Sequence, residues 1–237
     1  MAPRLLKRAH VESGLEVLGK KHKGFARVIQ RLTDAQIETL HQTTPAPNSA
    51  FTSLTRSICS QQLSTKAART IFSRVQRLVP AQEPHEETHD VNVGKKHNTT
   101  DIAVCPHAVH AAAEEDLRQA GLSTNKIRSI KDLASRFVAG TLSDDILAAA
   151  EDIDELEALL LDVKGIGPWT VQMFAIFFLR FPDVPVTGDL GVRKGYAKIF
   201  STSLPSPTAM EKVVISWAPY RSLGAHLCWK ALEMDIH

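Results

Sequence analysis

Asp189 stands in the stretch Val184-Pro185-Val186-Thr187-Gly188-Asp189-Leu190-Gly191-Val192-Arg193-Lys194-Gly195-Tyr196, which reads as an extended loop entering a new helix. An aspartate at that junction can cap the free backbone amides of the first turn. The same position suits chemistry, because a helix N-terminus favours negative charge. A carboxylate held there can stabilise a developing cation or orient a water molecule. Capping alone would account for the residue, so position by itself leaves both readings open. Arg193 and Lys194, one turn on, could hold phosphates, and a solvated cationic face is equally compatible.

The second stretch with chemical content is Leu160-Leu161-Asp162-Val163-Lys164-Gly165-Ile166-Gly167-Pro168-Trp169-Thr170, flanked on both sides by amphipathic helical sequence. Gly165 and Gly167 permit a tight turn with outward amides, and a helix can start at Pro168 or Trp169, where proline suits the first turn. Such a turn is an anion-binding nest at a helix N-terminus, and Lys164 adds charge beside it. It fits one backbone phosphate without reading a base. Ile166 should point inward and pin the two helices together. A glycine cap between packed helices would show the same bare pattern; the case for the nest rests on the company of Asp189.

The elements that must position these residues are helical. Phe51, Leu54 and Ile58 recur at helical spacing after Asn48, a candidate N-cap. Ala67, Ile71, Val75 and Leu78 continue the pattern beyond an interruption at Ser60-Gln61-Gln62-Leu63-Ser64. Ser123 caps a run carrying Ile127, Ile130, Leu133 and Phe137 that stops at Gly140, and Ile153, Leu156, Leu159 and Leu160 mark the helix before Lys164. No stretch alternates as a strand would, so the fold class is all-α. Residues 81 to about 104 are polar and His-rich and read as a flexible surface insert. His85, His89 and His97 lie there without cysteines or a helix to fix them, so no side-chain metal site is expected.

Composition bounds the function without naming it. The chain has 237 residues, 43% of them hydrophobic, which is enough for one sizeable domain or two lobes. A net charge of +2 does not announce nucleic acid, so any DNA-binding charge must be local. Cys59, Cys105 and Cys228 are far apart and form no C-x-x-C pair, which argues against a disulfide framework, a zinc finger and a four-cysteine iron–sulfur cluster. The N-terminus lacks the apolar run of a signal peptide, and the longest apolar stretch, 174–179, is too short to cross a bilayer. A cytosolic, nuclear or organellar protein with no membrane partner is expected.

Taken together, the hairpin and the Gly188-Asp189 loop resemble the helix-hairpin-helix DNA glycosylase superfamily. G-I-G-P-W-T and the later Trp217-Ala218-Pro219-Tyr220-Arg221-Ser222 resemble its 3-methyladenine DNA glycosylase II branch. The likeness runs from about Ser49 to Glu233, apart from the insert. It implies two helical lobes flanking a DNA-binding cleft, one from 1–47 and 182–237, the other from 48–181. It implies that Asp189 is catalytic and that Lys164, Gly165, Gly167, Thr170 and Arg193 hold the DNA backbone. Trp169 and Trp229 would line the base pocket, with Met173 and Leu190 at positions where the bacterial enzyme has tyrosines. Gln62, with Gln61 beside it, would plug the gap left by a flipped base.

The bifunctional members carry a nucleophilic lysine where this chain has Trp169, so no strand-cleaving lyase step is expected. The implied activity is hydrolysis of the N-glycosidic bond of alkylated purines in duplex DNA. No cofactor is implied beyond a monovalent cation that could sit at the hairpin carbonyls. A monomer is expected, in the nucleus, with abasic-site processing enzymes acting downstream. The rival readings are a non-catalytic helix-hairpin-helix DNA-binding module and a glycosylase for oxidised or deaminated bases.

Overall fold

The structure is a computed structural model that describes residues 8–41, 49–81 and 102–235. Among these residues the chain is helical, with one isolated antiparallel bridge between Pro80 and Val104 and no strand. It divides into two compact units, the first made of residues 1–43, 151–154 and 171–237, the second of 44–150 and 155–170. The sequence places the second boundary at 181/182; it falls instead between Thr170 and Val171, inside a helix. A helix carries no change of composition at such a point, so the residues there do not mark the boundary.

The first unit opens with α1 (Arg8–Lys21), α2 (Lys23–Ile29) and α3 (Asp34–His41). The second holds α4 (Ala50–Ser60), α5 (Thr65–Leu78), α6 (Pro106–Ala111), α7 (Glu114–Gln119), α8 (Thr124–Val138), α9 (Asp144–Ala149) and most of α10 (Ile153–Leu160). The chain continues through α11 (Pro168–Phe177) to α12 (Leu190–Phe200), α13 (Pro207–Ile215) and α14 (Arg221–Glu233) of the first unit.

In the second unit α8 is the central helix and packs on α4, α6 and α7. Its Ile127, Ile130 and Leu133 are fully buried, as their spacing predicts, Ser123 Oγ accepts the Lys126 amide, and Gly140 follows at φ +72. Phe51, Leu54 and Ile58 of α4 are also buried, but the cap is Ser49, whose Oγ accepts the Thr52 amide at 3.2 Å; Asn48 lies outside the described residues.

The face of α5 is rotated from the expected stripe. Ala68, Phe72, Val75 and Gln76 are buried, whereas Leu78 is 40% exposed. Gln76 can sit inside because its Nε2 donates to the Ile102 carbonyl, so here polarity does not mark the wet side. The end of the expected surface insert is likewise packed. Ala81 donates to Ala103, Cys105 donates to Val79, and Val104 is buried with its amide on Thr52 Oγ1. His85, His89 and His97 lie outside the described residues.

In the first unit α12 and α14 touch backbone to backbone. A Cβ on Gly195 would stand 2.0 Å from the Cys228 carbonyl oxygen. Trp217, on the turn between α13 and α14, is buried against Phe25 of α2, with ring centroids 5.2 Å apart. This close packing sets the first turn of α12 beside the middle of α14, where the capping carboxylate meets its partner.

Candidate functional site

On the second unit, residues 161–167 turn the chain from α10 into α11. Gly165 has φ +75, and a Cβ there would lie 2.1 Å from Ser129 Oγ on α8, so both torsion and space require glycine. Val163 and Ile166 are buried under the turn. The turn is closed by the Ile166 amide on the Val163 carbonyl at 3.1 Å and the Thr170 amide on the Gly167 carbonyl at 2.9 Å. Among the described residues the Gly165 and Gly167 amides meet no acceptor, which is the condition for binding an anion. Lys164 is exposed beside them, and its own amide donates to Asp132 Oδ2 at 2.9 Å, tying the turn to α8.

Two residues expected at the DNA surface are turned inward. Thr170 is 2% exposed, and its hydroxyl accepts from Gln61 Nε2 at 3.2 Å. Gln61 Nε2 also donates to the Gly165 carbonyl at 2.9 Å, so its side chain is engaged within the unit rather than projecting as a plug. A short amide or hydroxyl bonds inward when a buried polar partner is in reach, and residue type alone cannot show that direction. Gln62 and Leu63 remain exposed, Gln62 with φ +57. Trp169, in the first turn of α11, is 41% exposed.

On the first unit, Asp189 is the N-cap of α12: its Oδ1 accepts the Val192 amide at 2.8 Å. The same oxygen accepts Trp229 Nε1 from α14 at 2.9 Å. The sequence suggests an indole face at Trp229; here its edge grips the carboxylate while its ring stacks on Phe177, with centroids 5.5 Å apart and planes at 26°. His226 stands edge-on to both rings. Burial, with Arg180 and Lys230 nearby, pulls its pKa down to about 4, which leaves a neutral imidazole near neutrality. Leu190 is 49% exposed and Met173 half-buried. Arg193 is half-buried and donates from Nε to the Pro205 carbonyl at 2.7 Å, which leaves its remaining nitrogens for a phosphate.

The loop before Asp189 is fastened by residues that sequence reasoning misses. Asp183 takes a two-pronged grip from Arg221, Nε to Oδ1 at 2.7 Å and Nη2 to Oδ2 at 2.9 Å. Ser222 Oγ donates to the Phe181 carbonyl at 2.6 Å and accepts the Val184 amide at 3.1 Å. The W-A-P-Y-R-S stretch thus does more than pack aromatics; its last two residues anchor the loop. Phe177 also escapes a reading by motif. A signal for it exists, since Phe177 is one turn beyond Met173 on α11.

Among the described residues no group of three or more His, Cys, Asp or Glu could hold a metal ion. Cys59 and Cys228 are buried thiols, with burial pushing the pKa of Cys59 up to about 12 and raising that of Cys228 as well, so neither is a ready nucleophile.

An amide-lined turn opening a helix, in a helical chain that also caps α12 with a carboxylate gripped by an indole, is the arrangement of a helix-hairpin-helix protein. The model of the HhH-GPD superfamily base excision DNA repair protein matches residues 55–219, and the chain belongs to that family. It is similar to DNA-3-methyladenine glycosylase 1 of Schizosaccharomyces pombe, 30% identical over 187 residues that span 78% of this chain and 73% of that protein. It is also 30% identical over 200 residues to the DNA-3-methyladenine glycosylase of Saccharomyces cerevisiae, across 81% of this chain and 62% of that one. Its fold matches the Schizosaccharomyces pombe 3-methyladenine DNA glycosylase (Mag1) solved with abasic DNA, with a TM-score of 0.75 and 24% identity over 95% of this chain and 98% of that one.

Proposed function

We propose that the protein is a monofunctional DNA glycosylase that hydrolyses the N-glycosidic bond of alkylated purines, of the 3-methyladenine and 7-methylguanine type, in duplex DNA. The observation that carries this reading is Asp189, a carboxylate fixed by the α12 amide and the Trp229 indole in a chain with tryptophan, not a nucleophilic lysine, at position 169. The names of its relatives support the substrate class.

The hairpin amides and Lys164 hold a backbone phosphate, and the target nucleotide is flipped out of the stack. An alkylated purine carries positive charge, so it is recognised by an electron-rich indole face such as that of the exposed Trp169 and is already a good leaving group. The C1′–N bond breaks, and its electron pair leaves on the base, which departs neutral. Asp189 stabilises the cationic sugar; water then adds its oxygen at C1′ and loses a proton, which the carboxylate can accept. The product is an abasic site, a substrate for enzymes that process such sites. The reading includes a monomer acting in the nucleus.

The hairpin also fits a monovalent cation. Among the described residues the carbonyls of Leu161 and Ile166 accept no hydrogen bond, and hard oxygen donors suit such an ion. The ion would add positive charge beside the phosphate, and no step of the reaction depends on it.

Methylated duplex DNA incubated with the protein should release free alkylated base and leave strands that break only on later heat or alkali treatment. Tight DNA binding with no released base would instead favour a non-catalytic module, and release confined to oxidised or deaminated bases would reassign the substrate. Trp229→Phe keeps a ring for Phe177 to stack on but removes the donor to Asp189. Single-turnover release should slow by roughly tenfold to a hundredfold, the range expected for a hydrogen bond to a charged group. A rate equal to that of the unaltered protein would remove the indole N–H from the mechanism.

A further inference from the structure

We infer that Gln61 is a positioning residue that locks the 60–64 loop to the hairpin, so that gripping the backbone and filling the gap in the helix are one rigid act. The inference rests on the glycosylase reading, in which Gln62 on this loop plugs the gap left by the flipped base. Gln61 Nε2 bridges the Gly165 carbonyl at 2.9 Å and the buried Thr170 hydroxyl at 3.2 Å, one on the turn and one on the first turn of α11. Lys126 Nζ in turn donates to the Gln61 carbonyl at 2.9 Å and to the Cys59 carbonyl at 2.7 Å. The end of α4, the loop and the hairpin are therefore held as one body by two side chains.

The next residue shows why such a lock is needed. Gln62 is exposed with φ +57, a conformation that disfavours non-glycine residues by about 1 kcal/mol and persists only where its surroundings enforce it. Holding residue 61 by both its backbone and its side chain supplies that enforcement. The exposed Gln62 is then presented in a fixed pose before DNA arrives. A loop free to relax would still bind phosphate through the hairpin but would fill the gap less well. Gln61 touches no reacting atom; it acts through Gln62.

The test compares single-turnover base release from two duplexes with the same alkylated purine, one paired with its complement and one unpaired in a single-nucleotide bulge. Opening a base pair and filling its place matter for the first and little for the second. Gln61→Ala should slow release from the paired lesion by about tenfold, as expected from losing two hydrogen bonds, and by clearly less from the bulge. Gln62→Ala should show the same skew. Thr170→Val should share it and add little to Gln61→Ala, since both changes remove one bridge, while Thr170→Ser should retain the original ratio. Thr170→Val also supplies the test if Gln61→Ala fails to fold. Equal slowing on both duplexes, no slowing, or additive losses would overturn the lock. If the unaltered protein releases base from neither duplex, the glycosylase reading falls, and the role assigned to Gln61 falls with it.

Discussion

Asp189→Asn should fold normally and lose roughly a hundredfold to a thousandfold in single-turnover base release, the scale on which a preorganised electrostatic group contributes. Asparagine caps helices about as well as aspartate, so the Val192 amide keeps an oxygen acceptor and α12 keeps its start. Trp229 Nε1 can donate to the same oxygen. What disappears is the negative charge, and with it the proposed stabilisation of the sugar cation and the proposed acceptance of the water's proton. Asp189→Ala removes the cap as well and should cost about 1 kcal/mol of stability in addition. Release assays and thermal melts on the two variants separate these effects. An asparagine variant within about threefold of the parent rate would return Asp189 to the role of a helix cap.

The largest structural effect is expected from Gly195→Ala. The added carbon would lie 2.0 Å from the Cys228 carbonyl oxygen and 2.5 Å from its carbonyl carbon, so a backbone rather than a mobile side chain would have to move. Overpacking of this kind costs about 3 kcal/mol or more, equivalent to a melting temperature lower by roughly 6–12 °C in a chain of this size. Separating α12 from α14 also withdraws Trp229 from Asp189, so stability and activity should fall together. Gly191→Ala offers a contrast. Its carbon would meet the Trp229 ring at 2.9 Å, a contact that the indole can yield to. Activity should suffer there with a smaller loss in melting temperature. A Gly195→Ala variant as stable as the parent would show that the two helices are not packed this closely.

Features set by local chain chemistry are legible in the residues themselves. Two glycines, a proline and helical flanks spell out the hairpin, and the Gly165 torsion agrees. The cap at Asp189 follows from a loop entering a helix. Direction and distance are not legible in this way. Gln61 and Thr170 have the residue types of a DNA contact, yet they bond to each other, because a buried donor finds a buried acceptor. Residue type advertises the face of Trp229, while its edge is also engaged. Asp183 and Arg221 are 38 residues apart and carry no periodic mark, so only folding reveals the pair that anchors the Asp189 loop. On α5 the buried Gln76 rotates the inner face away from the apolar stripe.

The small bridge at the end of α5 joins two points more than twenty residues apart in the sequence. Ala81 and Cys105 donate across it to Ala103 and Val79, fixing the two ends of the intervening stretch side by side. The start of α6 is thus set against the end of α5 by backbone pairing rather than by chain connectivity, and Val104→Pro, which removes the amide held by Thr52, should lower the melting temperature.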